Sequence, residues 1–146
     1  MPCGPLKEHA DSLDQKLKKA RFQSLVHGDA KTPNFCWNSE KSAAAAVDFQ
    51  YVGTGCGIRD VALFLDRCLG PEICDLSVEH WLDVYFDLLN QALIRDGHTV
   101  SGKDLEDDWR PLYPVAWADY CRFRQGWAGP SALSSYSLKQ IERALE

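Results

Sequence analysis

Apolar residues recur at helical spacing along most of this chain, and alternate with polar ones over one short stretch near the front. Residues 7–23 (KEHADSLDQKLKKARFQ) put Leu13, Leu17 and Ala20 on one face and predict a single, weakly amphipathic helix. A short apolar entry at 24–27 leads into a polar loop. Residues 35–38 (FCWN) and 43–49 (AAAAVDF) read as two short strands across Asn-Ser-Glu-Lys turn chemistry. The alanine run favours helix on propensity, but Val47 and Phe49 alternate with Asp48 and place a strand at its end. Gly53, Gly55 and Gly57 predict a flexible turn over 52–57.

Beyond the glycines the helical period returns. Ile58, Val61, Ala62 and Leu65 predict a helix over 58–68. The clearest helix is 77–96, with Trp81, Tyr85, Leu88 and Ala92 as one stripe and Leu82, Leu89 and Leu93 beside it. Ser77 is its expected start and Gly97 its stop. Pro111 and Pro114 divide 101–127 into two helical pieces, because proline cannot sit inside an unbroken helix. A last helix over 134–145 carries Leu138, Ile141 and Leu145. The expected fold is mainly α with a small β-hairpin region, an α+β arrangement in one domain over 1–146.

Composition narrows the function. The chain has 146 residues, enough for a substantial core, and a formal charge of −5, which argues against a nucleic-acid partner. Cysteines at 3, 36, 56, 68, 74 and 121 have no zinc-ligand spacing. They read as free thiols of a cytoplasmic protein. No apolar stretch approaches the roughly 20 residues that span a bilayer, so no membrane partner is expected. The helical aromatics Trp81, Tyr85, Trp117, Tyr120 and Phe123 read as core, with the lining of a substrate pocket as the alternative for some of them. The acidic run 104–108 (DLEDD) reads as a solvated helix start, where acids favour the helix dipole.

The candidate chemistry lies in LVHGDAKTPNFCW, residues 25–37. His27-Gly28-Asp29 is followed after four residues by Asn34. Asp48-Phe49-Gln50 comes next, and Asp60 opens the helix of GIRDVALFL. Each alone is ordinary turn chemistry. In this order they resemble the catalytic loop and metal segment of the aminoglycoside phosphotransferase and choline-kinase-like family, small-molecule kinases with the protein-kinase-like fold. The resemblance covers 24–68, and the helices of 69–146 suit that fold's C-terminal lobe.

The resemblance implies ATP or GTP with Mg²⁺ as cofactors and the hydroxyl of a small molecule as acceptor. Asp29 is then the catalytic base, and Asn34 and Asp48 are metal ligands facing the same cleft. Lys31 would help neutralise the γ-phosphate. His27, Gly28 and Asp60 would support the loop. Gln50 stands where many kinases carry Gly. The family's N-terminal lobe, with its glycine-rich loop and strand lysine, is expected to be missing, since Lys16, Lys18 and Lys19 fall in a helix. A truncated gene product, a degenerate relative and a chain completed by a partner polypeptide all fit that expectation, the first being favoured, and such a fragment is expected to be inactive alone. The alternative function is a non-catalytic kinase-like helical module that binds a partner through its exposed cleft.

Overall fold

The computed structural model describes residues 4–146, so Cys3 lies outside the described residues. It is mostly helical, with two small antiparallel strand pairs. The expected helix over 7–23 is instead two: α1 (Gly4–Glu8) and α2 (Ala10–Lys18). The chain leaves helical geometry at Lys18 because its next turn is held elsewhere. Asp108 accepts the backbone N–H groups of Arg21 and Phe22, and Trp109 Nε1 donates to Phe22 O at 3.0 Å. Asp108 thus carries a tertiary role that a solvated helix start does not explain.

Strands follow. β1 (Ser24–Val26) pairs with β4 (Gly53–Gly55), so the glycine segment expected to be a flexible turn contains a strand. β2 (Phe35–Trp37) pairs with β3 (Ala44–Ala46), Phe35 opposite Ala46 and Trp37 opposite Ala44. The hairpin turn is tied by Asn38 Oδ1, which accepts from the backbone N–H of Ser42 and Ala43. The strand was expected at the Val47–Phe49 end of its segment and lies in the alanines instead. Pairing with β2 overrides their helical propensity, a common tertiary effect. Val47 and Phe49 lie outside the strand and are exposed.

Next, α3 (Ile58–Leu69) packs against α6 (Tyr113–Ala128), as do α2 and α7 (Ser135–Leu145). Close approach at the start of α3 requires glycine. A Cβ on Gly57 would sit 2.5 Å from the Trp109 ring. Helix α4 (Pro71–Arg95) starts six residues before the expected Ser77. Pro71 is well suited to a first helical turn, its missing N–H costing nothing there. Ser77 is interior and donates to Ile73 O at 2.8 Å.

The buried face of α4 also differs from the expected stripe. Cys74, Leu82 and Phe86 are buried, with Val78, Tyr85, Leu89 and Leu93 partly buried beside them. Trp81 and Leu88 face outward, so the core side lies one residue further round the helix. The two expected pieces over 101–127 are α5 (Gly102–Trp109), capped by Ser101, and α6, joined by a 3₁₀ turn that holds Pro111.

The core centres on Trp117, which is fully buried. Its Nε1 donates to Ser137 Oγ at 3.1 Å, and its ring meets Tyr136 edge-on at 4.8 Å. Burial first of all pushes the thiols of Cys56, Cys74 and Cys121 up to about 11. They stay protonated at neutral pH and behave as small apolar fillers. No described helix is long and apolar enough to cross a membrane.

Candidate functional site

The loop between β1 and β2 is braced from below by the first turn of α3. Asp60 accepts the N–H of His27 on Oδ2 at 2.7 Å and that of Gly28 on Oδ1 at 2.9 Å. One carboxylate therefore satisfies two successive loop amides. Gly28 is in the left-handed region, φ +82°, and a Cβ there would lie 2.4 Å from Tyr51 O. No other residue fits that turn without displacing backbone. Replacing Asp60 with Ala leaves both amides without their acceptor. It is expected to cost roughly 1–3 kcal/mol by chemical denaturation, with Asp60→Asn costing less. An Asp60→Ala protein as stable as the wild type would contradict this bracing.

His27 ties the loop sideways. The Asp29 N–H donates to His27 Nδ1 at 3.2 Å, which makes Nδ1 the acceptor. The other nitrogen, Nε2, then carries the proton and donates to Val47 O at 2.8 Å. The two bonds orient the imidazole, with its ring 5.0 Å from that of Phe49, centroid to centroid. Its work is positional, joining the loop to the segment after β3.

Asp29 stands at the centre. Its side chain is 17% exposed. Oδ2 accepts from Asn34 Nδ2 at 3.0 Å and pairs with Lys31 Nζ at 2.8 Å. The same Asn34 nitrogen donates to Asp29 O at 2.9 Å, so the amide is oriented with nitrogen towards Asp29 and Oδ1 at its other end. Asn34 is buried, and its main-chain carbonyl accepts from Val47 N–H at 2.9 Å. Asp48 follows directly, in the left-handed region at φ +61° and exposed. The structure thus joins Asp29, Lys31 and Asn34 by direct contacts and sets Asp48 one residue beyond the Val47 link. No hydrogen bond among the described residues ties the Asp48 carboxylate to Asp29 or Asn34.

The donor set suits Mg²⁺ better than a transition metal. No cluster of three or more His, Cys, Asp or Glu that could hold a metal occurs among the described residues. Mg²⁺ is commonly held by one or two protein oxygens, with water and phosphate completing its shell. The exposed Asp48 carboxylate and the Oδ1 of Asn34 offer oxygen atoms of that chemical kind.

Beside Asp29 opens a cleft of about 250 Å³ between the loop, α3 and α6. Its wall includes Arg59, Asp119, Tyr120, Arg122 and Phe123, all but Arg59 from α6. Phe123 was expected in the core and is 49% exposed. Trp81, with the same expectation, is also exposed, whereas Trp117 is core and Tyr85 and Tyr120 are partly buried. Desolvation, reinforced by its hydrogen bond to Asp66, pushes the Tyr120 phenol up to about 12, so it remains a donor. The α6 wall escaped sequence reading because it lies some 90 residues from the loop. Its one readable sign was Asp119, a lone acid inside the apolar run VAWADYC.

The loop thus presents one braced carboxylate, Asp29, with an amide and a lysine on one oxygen, and an exposed acid, Asp48, follows β3. The chain belongs to the ecdysteroid kinase-like family, whose model matches residues 6–97. This is a kinase-like family related to the choline kinases and aminoglycoside phosphotransferases. No curated protein and no solved structure matches the chain.

Proposed function

We propose that this protein transfers the γ-phosphoryl group of ATP or GTP, with Mg²⁺, to a hydroxyl of a small molecule in the cytoplasm. The observation that carries the reading is the state of Asp29: a half-enclosed carboxylate with Asn34 and Lys31 both on Oδ2. That leaves Oδ1 to orient the acceptor hydroxyl and take its proton as the oxygen attacks. Asp48 and Asn34 Oδ1 would hold the metal, which would supply positive charge against the donor phosphates. Lys31, already 2.8 Å from Asp29, swings to the transferring group and offsets its charge. Asp60 and His27 keep the loop rigid, which is where positional catalysis gains most.

The described residues correspond to a C-terminal kinase lobe in this reading. A nucleotide-gripping lobe, from the same polypeptide or a partner chain, completes the donor site. The family description makes a polycyclic alcohol the first acceptor to assay.

Calorimetric titration of Mg²⁺ with ATP into the wild type and Asp48→Ala tests the proposal. The substitution is expected to weaken joint binding by roughly 10–100-fold, the range for damage to a metal site. Equal binding in both proteins, or none in either, removes catalysis by this chain alone and favours the partner-binding module.

A further inference from the structure

The two helices that wall the cleft are joined by two carboxylate clips. Asp119 of α6, 7% exposed, accepts Arg122 Nε and Nη2 at 2.9 and 2.7 Å and lies 3.7 Å from Arg59 Nη2 of α3. Asp66 of α3 accepts the Tyr120 hydroxyl at 2.8 Å and lies 3.6 Å from Arg124 Nη1 of α6. In both clips the carboxylate is sunk between the helices and the guanidinium is at the surface. Arg67, one turn along α3 from Leu63, is exposed and pairs with no described residue.

Arg67 and Arg124 face one place. A second hollow of about 190 Å³ adjoins the first, sharing Asp29 with it. Arg67, Arg124 and Lys31 line it together with Tyr120, Phe123 and Trp127. Lys31 is engaged by Asp29, and Arg124 is partly offset by Asp66, but Arg67 is not. A chain of net charge −5 thus places a cationic, aromatic-floored pocket beside its candidate base. A cationic acceptor, such as an amino sugar or a quaternary amine, meets like charge there.

We propose that the acceptor is an apolar-bodied alcohol carrying an anionic group, a carboxylate or a sulfate or phosphate ester. The anion sits against Arg67 and Arg124, the ring system lies on Tyr120, Phe123 and Trp127, and the hydroxyl points to Asp29. Arginine suits this task because its planar fork matches such oxyanions. This assignment rests on the phosphotransferase reading and specifies its acceptor.

The test compares three probes on one scaffold: 6-(hydroxymethyl)-2-naphthoate, 2-naphthalenemethanol and the 6-aminomethyl analogue. Ligand-detected NMR titration gives each affinity without needing turnover. The carboxylate is expected to bind about tenfold tighter than the neutral alcohol, as two exposed ion pairs provide, with the amine weakest. The preference should fall to about twofold or less in Arg67→Gln,Arg124→Gln and shrink with added salt. Arg67→Gln alone touches no described partner, so a partial loss there is free of folding effects.

A flat or reversed charge order, or one that survives both substitutions, overturns the assignment. So does a preference abolished by saturating ADP with Mg²⁺, which would give these cations to the donor phosphates. Failure of the phosphotransferase reading looks different. The charge order would stand while the Asp48-dependent nucleotide binding was missing.

Discussion

Replacing Asp29 with Asn is expected to lower phosphoryl transfer by about 10²- to 10⁴-fold, the usual effect of losing a positioned general base. The substitution keeps size and shape and removes the charge and the proton-accepting oxygen. The loop should survive it, because Asn34 Nδ2 also donates to the main-chain carbonyl of residue 29 and Asp60 still holds His27 and Gly28. Single-turnover assays with MgATP and the alcohol, on the chain together with its nucleotide-gripping lobe, read the rate, and thermal unfolding checks the fold. A loss below about tenfold in a folded protein would leave Asp29 without the role of base. Released from its partner, Lys31 provides a second readout. Nucleotide affinity should hold or rise as rate falls, since Lys31 no longer divides itself between Asp29 and phosphate.

The largest effect on stability is expected at Trp117. Truncation to Ala removes a fully buried indole that meets Tyr136 edge-on at 4.8 Å and approaches Tyr113 at 6.0 Å and Tyr120 at 6.5 Å. It also takes the Nε1 donor from Ser137 Oγ. A cost of about 3–5 kcal/mol is the range for emptying such a site. Trp127→Ala is the control, since that ring is 80% exposed and should change stability by no more than about 0.5 kcal/mol. Urea denaturation of the two variants should separate them clearly. Similar losses in both would mean that α6 is not the centre of the core.

Both tryptophans lie on α6, ten residues apart, Trp117 within the apolar run VAWADYC and Trp127 beside glycines at the helix end. How deeply each is enclosed is set by the neighbours of α6. Helical period predicts an apolar face, but α6 is enclosed by α2, α3 and α7, so almost every side of its first half is buried. Past Cys121 the helix runs out from under its neighbours, and Phe123 and Trp127 emerge beside the cleft. The shifted stripe on α4 has the same origin. Trp81 and Leu82 are both apolar, and only the neighbour's position decides which one faces it.

Local chemistry was more legible. Pro111 and Pro114 marked the break before α6, because a missing N–H and a fixed φ act wherever they occur. Asn38 and the residues after it marked the hairpin turn. The glycines of 52–57 misled, since their freedom suits a turn, while β1 across from them selects a strand. Ser77 misled as well, because its hydroxyl caps a helix only where the backbone leaves amides free. At that point α4 had already begun.

The sequence by itself determined the helical class, the break at the prolines and the order His27-Gly28-Asp29, Asn34, Asp48, Asp60. These depend on residue type and spacing, which act locally or through a shared motif. Only the tertiary structure decided that Asp60 serves two loop amides, that His27 bonds to both Asp29 N–H and Val47 O, and that Lys31 and Asn34 meet on one oxygen of Asp29. It alone brought α3 and α6 together, with Asp66 and Asp119 sunk between them and arginines lining the cleft. The contacts of Asp60 with the loop and of Asp66 and Asp119 between the helices join residues 32 to 60 apart in the chain, and only the packing of the core sets them.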